Sequence, residues 1–177
     1  MSDVSIFDVD LKKGKQGEKI VFDFLQEKLS DRYLVEDVSD DPECYYKGDL
    51  TIFDIDAFID KGKDIDCCTK YVEVKTDDCI SDTGNVLCEY SVYYPIRKEN
   101  RKGNMQNDGD YYAVVSREAR KIYWFNFKKL KKIFKFGKNR KISHYDEFGR
   151  LSQITNAYLL SLVCAKNEGA LIRVFDF

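Results

Sequence analysis

The stretch KGDLTIFD, residues 47–54, carries an aspartate directly behind a glycine into an apolar run, and YVEVKTDD, residues 71–78, sets Glu73 and Lys75 inside a second one. Acids are depleted in strands and lysine is disfavoured there too, so the two runs raise the question of what these charges are kept for. Side chains alternate along an extended chain, so Glu73 and Lys75 project from one face while Val72, Val74 and Thr76 serve the other. A carboxylate so placed can hold a divalent cation. An ammonium two positions on lies close enough to stabilise charge on an attacking water or on a phosphate. A second carboxylate from the neighbouring strand would complete the ligand set. Mg²⁺, or Mn²⁺ in its place, suits the arrangement because it takes few protein oxygens and leaves positions open to water and phosphate.

Upstream, Ile20, Val21, Phe24, Leu25 and Leu29 recur at helical spacing between Gly14 and Leu29, which predicts an amphipathic first helix. Glu18 falls on the same stripe, three residues before Val21, and is expected to point towards the sheet. The runs 49–60 and 67–76 are predicted to pair as an antiparallel hairpin about the polar turn KGKDID. Register is left open. A turn near residue 63 sets position 54 rather than 49 opposite Glu73, making Asp54 or Asp56 the partner, whereas a bulge or a bent strand would restore Asp49.

Downstream, VLCEYSVYYPI reads as a strand ending near Pro95, and the polar stretch 97–110 as a long loop of the kind that often carries function. Residues 111–116 and 121–125 read as a hairpin, and Asn126 as the cap of a short helix whose apolar face is Phe127, Leu130 and Phe134. Leu151, Ile154, Tyr158, Leu159, Leu162 and Val163 predict a later helix, stopped by Gly169 and followed by a closing strand, ALIRVF.

The totals bound the possibilities. A chain of 177 residues with 12 Tyr and 12 Phe makes one globular domain, residues 1–177. The N-terminal MSDVSIFDVDLKKGK has no apolar run fit for a signal peptide, and roughly 18 consecutive apolar residues occur nowhere. A soluble, cytoplasmic protein without a membrane partner is expected. The six cysteines, with no CxxC pair and no histidine nearby, read as reduced, mostly buried thiols rather than a disulfide framework or a zinc site. His144 is the only histidine and has no nucleophile motif around it, which argues against a Ser or Cys triad.

Four features together resemble the PD-(D/E)xK nuclease superfamily, which includes restriction endonucleases, Holliday-junction resolvases and related phage nucleases. They are the helix opening G-E at Glu18, then GDLTI with Asp49, then VEVKTD with Glu73 and Lys75, and then TGNVLCEYS at 83–91 followed by DGDYYAVV and KIYWFNFKKLKKIF. The succession is similar to a branch of small phage-type members and spans roughly residues 14–136. The resemblance implies an α/β fold with a restriction-endonuclease-like core, a central mixed sheet flanked by helices, and Mg²⁺-dependent hydrolysis of phosphodiesters, most of all in DNA. It implies that Asp49, Glu73 and the Val74 carbonyl bind the metal, that Glu18 supports a ligand or a second ion, and that Lys75 orients or activates the water. It favours Asp49 over Asp54 and Asp56.

The acid-free run KKLKKIFKFGKNRK, with Lys131, Lys132 and Lys135, and the loop bearing Arg101 and Lys102 are expected to contact the nucleic-acid backbone. A solvated helix face is the plainer reading of the same lysines. Rival functions are a non-catalytic nucleic-acid- or protein-binding module, or an inhibitor, on the same fold, and an enzyme that cuts RNA. A homodimer is compatible with the sequence.

Overall fold

The computed structural model describes residues 6–59, 63–146 and 148–177. Helix α1 (Ile6–Lys28) leads into a meander of β1 (Tyr33–Asp37), β2 (Leu50–Asp54) and β3 (Thr69–Thr76). The chain then passes through β4 (Asn85–Tyr94) and β5 (Glu99–Lys102) before returning as β6 (Tyr111–Ser116) and β7 (Lys121–Asn126). Helix α5 (Phe127–Ile133), β8 (Lys138–Tyr145), β9 (Leu151–Ser161), α6 (Leu162–Asn167) and β10 (Leu171–Asp176) complete it. Three short helices, α2 (Ile55–Ile59), α3 (Ile65–Cys68) and α4 (Ile80–Thr83), sit in the connections.

The central sheet runs β1-β2-β3-β6-β7-β10 and is mixed, with β3 and β6 parallel and the other neighbours antiparallel. A second, antiparallel sheet runs β5-β4-β9-β8. The molecule is therefore mixed α/β with helices against its central sheet, as expected. No helix among the described residues is long and apolar enough to cross a membrane.

Strand β6, YYAVVS, lies between β3 and β7 and is apolar on both faces, so it divides the core in two. Ala113 and Val115 pack with Val72 of β3 and with Val21, Phe24 and Leu25 of α1. Tyr112 and Val114 face the other way, into a cluster with Val86 and Cys88 of β4, Leu160 of β9 and Phe127, Leu130 and Ile133 of α5. Each fully buried large side chain contributes about 1.5–3 kcal/mol, so the stripe of α1 alone holds the helix to the sheet. Gly17 permits the close approach: a Cβ there would lie 2.1 Å from Thr76 Oγ1. Asn126 caps α5 as expected, its side chain accepting from the Lys129 N–H at 2.9 Å.

Four expectations are corrected. The strand predicted over 49–60 ends at Asp54, because Asp54 accepts the Ala57 N–H at 3.0 Å and is held by Arg32, starting α2 instead of prolonging β2; Asp60 and residues 61–62 of the expected turn lie outside the described residues. β2 and β3 do pair antiparallel, but through α2 and α3 rather than a tight turn, and Cys67 and Cys68 belong to α3. The stretch 97–110 is not all loop, since residues 99–102 form β5 against β4 and 104–106 a single 3₁₀ turn. The helix predicted from Leu151 is strand β9 up to Ser161, flanked on both sides by β4 and β8, with Thr155, Ala157 and Leu160 buried. Only there does a helix begin, Ser161 Oγ accepting from the N–H groups of Val163 and Cys164. Ile154, Thr155 and Tyr158 suit a strand, and two flanking partners override a helical spacing of apolar residues.

Among the cysteines, all free, Cys44, Cys68 and Cys88 are buried, Cys164 is half-buried, and Cys67 and Cys79 are exposed.

Candidate active site

The site forms where β2 begins and β3 runs on past it. Leu50 pairs with Val72, so Asp49 arrives one residue further out, beside Glu73. Its N–H donates to the Val72 carbonyl at 2.9 Å, and its carboxylate accepts the Val74 N–H at 2.7 Å, tying Asp49 to both neighbours of Glu73. Gly48 makes the approach possible, since a Cβ there would lie 2.7 Å from the Val72 carbonyl oxygen. The question of register is thereby resolved geometrically. Asp54 pairs across from Tyr33 at the far end of β2, about 17 Å from Asp49 at strand spacing, and Asp56 lies 3.4 Å from the same Arg32 that holds Asp54. Neither reaches Glu73.

Glu73 and Lys75 face the second sheet. Glu73 accepts from Asn107 Nδ2 at 2.8 Å, and Lys75 Nζ donates to Glu89 of β4 at 2.9 Å. Glu89 receives its own anchor through its backbone N–H, which donates to Asn104 Oδ1 at 3.2 Å. Asn104 in turn donates to the hydroxyl of buried Tyr112 at 2.8 Å. Asn107 is set by Lys131, whose Nζ donates to the Asn107 carbonyl at 2.6 Å while lying over the Phe127 ring. The 3₁₀ turn between Asn104 and Asn107 thus links the chemistry of β3 to the core.

The electrostatics follow from burial. Desolvation is the main force raising the Asp49 carboxyl to about 7; the Val74 N–H opposes it and the Glu18 charge adds to it. Desolvation and then the Asp49 charge raise Glu73 to about 8, against the pull of Asn107 and Lys75. Burial works to strip the Lys75 proton, but Glu89 and then Glu73 outweigh it, so the amine is held as an ammonium above its ordinary range. Lys75 is accordingly a fixed positive charge and a donor, not a base.

Glu18 does face inward from α1. Its Oε2 is buried and has no hydrogen-bond partner; Lys15 Nζ lies 3.2 Å away but off the line of a hydrogen bond. The Lys15 ammonium is thus the charge that faces it, and Lys15 shares itself with Asp40 at 3.1 Å.

Asp49 and Glu73 open on a cleft of about 250 Å³ lined also by Ser39, Tyr45, Tyr46, Lys102, Asn104 and Asn107. Among the described residues no group of three or more His, Cys, Asp or Glu side chains is arranged to hold a metal ion. The carboxylates of Asp49 and Glu73, with the inward-facing Glu18 behind them, nonetheless fit Mg²⁺, which needs only one or two carboxylates and fills its shell with water.

Comparison with protein-family models, with curated proteins and with solved structures finds no match to this chain. The geometry of the cleft has to be read on its own terms.

The basic residues divide. Lys102 lines the cleft, with its Nζ 5.1 Å from the centre of the Tyr46 ring. Arg101 points elsewhere, paired with Glu99 at 2.9 Å and lying over Tyr94. Lys131, the third lysine expected at a nucleic-acid backbone, is half-buried, and its Nζ is engaged with the Asn107 carbonyl and lies 3.7 Å from Asp108. Lys132 and Lys135 are exposed on and after α5. Of the acids that follow Lys75, Asp77 accepts the Cys79 N–H in a turn, and Asp78 holds Arg117, which lowers its pKa. His144 is on exposed β8, 3.4 Å from Thr155 Oγ1, remote from the cleft in sequence and bonding.

Sequence reasoning did not single out Asn104, Asn107 or the two tyrosines. The signal was present in the loop: two asparagines three residues apart in a polar stretch, each able to bridge a carboxylate or backbone to the core.

Proposed function

We propose that this chain is a divalent-metal-dependent nuclease that hydrolyses phosphodiester bonds, with DNA as the favoured substrate, and that its central mixed sheet and α1 form a restriction-endonuclease-like core. One observation carries the reading. Asp49 and Glu73, from adjacent strands, open on a single cleft with the ammonium of Lys75 two residues along the same face. Mg²⁺ or Mn²⁺ would be held by Asp49, Glu73 and the Val74 carbonyl, with Glu18 behind them, and would lower the pKa of a bound water and polarise the phosphate.

The chain's own residues have separable tasks. Glu89 keeps Lys75 charged and in place, so its N–H groups can donate to a non-bridging phosphate oxygen or to the attacking water, where they offset the charge that builds in the transition state. Asn107 fixes the Glu73 carboxylate, and the Val74 N–H fixes that of Asp49, so both are oriented before substrate arrives. Lys102 at the cleft wall supplies a positive charge for the substrate backbone.

Cleavage of linear, branched and single-stranded DNA and of RNA, with Mg²⁺, Mn²⁺ or EDTA, is the direct test. Metal-dependent cutting that Glu73→Gln abolishes is expected. Binding without cutting on every substrate would favour the second reading, a non-catalytic binding module, which the ion pair between Lys75 and Glu89 also suits because it occupies the lysine.

A further inference from the structure

Beside the cleft lies a second recess of about 300 Å³, lined by Ser39, Asp40, Asp41, Pro42, Tyr45 and Tyr46. Ser39 and both tyrosines line the two cavities at once, so recess and cleft adjoin each other. Tyr45 is 62% exposed and Tyr46 51%. Their rings stand edge to face, with centroids 4.9 Å apart and planes at 87°.

These rings are held out in water by the fold. Cys44 is buried directly before them and its N–H donates to the Asp41 carbonyl at 3.0 Å. The Tyr46 carbonyl accepts the Asp108 N–H at 2.6 Å, which bonds this turn to the loop that carries Asn107. Two adjacent exposed aromatic rings on a fixed turn are an apolar surface awaiting a partner.

Charge says which partner. Asp40 and Asp41 stand in the wall of the recess and would repel a phosphate there. Asp40 faces Lys15, 3.1 Å away, and Asp41 Oδ1 accepts the Glu43 N–H at 2.9 Å. Lys102 lies over Tyr46 on the cleft side. Negative charge within the recess and positive charge at its lip suit a group that is flat and uncharged but tethered to a phosphate. We propose that the recess of Tyr45 and Tyr46 docks an unstacked nucleobase, so that the substrate class of the cleft is single-stranded DNA or a single-stranded end. The proposal rests on the nuclease reading for its link to cleavage, though not for base binding itself. A duplex keeps its bases in the stack and offers this recess only backbone, whereas a single strand offers the face of a base, for which aromatic stacking is the sequence-tolerant contact.

The test is binding of the full chain in EDTA, read by fluorescence anisotropy, to a labelled single-stranded DNA, to an abasic strand of the same length and to a duplex. The base-bearing strand is expected to bind about tenfold more tightly than the abasic one. Tyr45→Ala and Tyr46→Ala should each erase most of that preference, and Tyr46→Trp should keep it. Lys102→Ala should weaken base-bearing and abasic strands alike and flatten the salt dependence by about one counterion. Equal binding of wild type to base-bearing and abasic strands overturns the proposal without any variant. So does tighter binding of the duplex, or a preference that survives in a folded Tyr45→Ala protein. The two readings fail separately: base preference without cutting removes the nuclease and keeps the recess, and cutting without base preference does the reverse.

Discussion

The pair of carboxylates in the cleft should make the metal-free protein lose stability as pH rises. Asp49 and Glu73 titrate in the folded chain near about 7 and about 8, against 3.8 and 4.5 for ordinary Asp and Glu. Between those ranges the folded state binds more protons than the unfolded one, so the slope of unfolding free energy with pH is negative. The stabilisation is complete below the unfolded carboxylate range and is lost as pH climbs through about 8. Treating the pair as one site that keeps a single extra proton over about three pH decades, from about pH 5 to about pH 8, at about 1.4 kcal/mol per decade, gives about 4 kcal/mol. For a chain of this size that is a fall in melting temperature of roughly 8–16 °C.

Thermal melts in EDTA from about pH 5 to about pH 9 measure it, with Glu73→Gln beside wild type. The glutamine cannot ionise, keeps the shape needed by Asn107, and relieves Asp49 of its neighbour's charge. The variant should therefore lose much less stability over the same interval and be the more stable protein at the alkaline end. Metal closes the argument, since an ion at 100 times its dissociation constant adds about 2.7 kcal/mol to the state that binds it. Mn²⁺ should raise the wild-type melting temperature at high pH and leave Glu73→Gln nearly unchanged. Parallel pH curves for the two proteins, or equal responses to metal, would refute both the coupling of Asp49 to Glu73 and their role as ligands.

Lys75→Ala should abolish cleavage in the same assay while nucleic-acid binding, read by anisotropy, changes little; it also strands the half-buried Glu89, so a loss of about 1–3 kcal/mol in chemical denaturation is expected and Lys75→Ala with Glu89→Gln should recover part of it. Lys131→Ala is expected to lower the cleavage rate by loosening Asn107, with an unchanged salt slope of binding, whereas neutralising exposed Lys132 and Lys135 should flatten that slope if they meet the backbone and leave it intact if they are a solvated face. Gly17→Ala must push α1 off Thr76 and should cost about 1–3 kcal/mol, measured by urea unfolding. Asp54→Asn should leave metal-dependent cleavage intact, because its carboxylate serves Arg32 and the start of α2; loss of cutting in that variant would reopen the assignment of Asp49.

What could be read from the chain beforehand tracks how local the deciding physics is. The alternation that sends Glu73 and Lys75 to one face needs only strand geometry, and the cap of α5 at Asn126 needs only its own turn; both hold. The inward stripe of α1, Glu18 included, is a matter of periodicity and holds as well. Register across β2 and β3 is open to the sequence because it depends on the length of the intervening turn, and that connection contains two short helices, the first begun by the side chain of Asp54. The strand β9 was misread because its apolar residues also fit a helix, and the choice is made by β4 and β8, more than 60 residues upstream and just before it. The same non-local logic explains the site. Glu89, Asn104, Asn107 and Lys131 matter only because the second sheet folds over β3 and brings a polar turn against two buried charges. An arrangement of that kind has no spacing in sequence to give it away: Glu89 lies 14 residues beyond Lys75 on another sheet, and only the fold sets its carboxylate 2.9 Å from the Lys75 ammonium and so holds that charge in place.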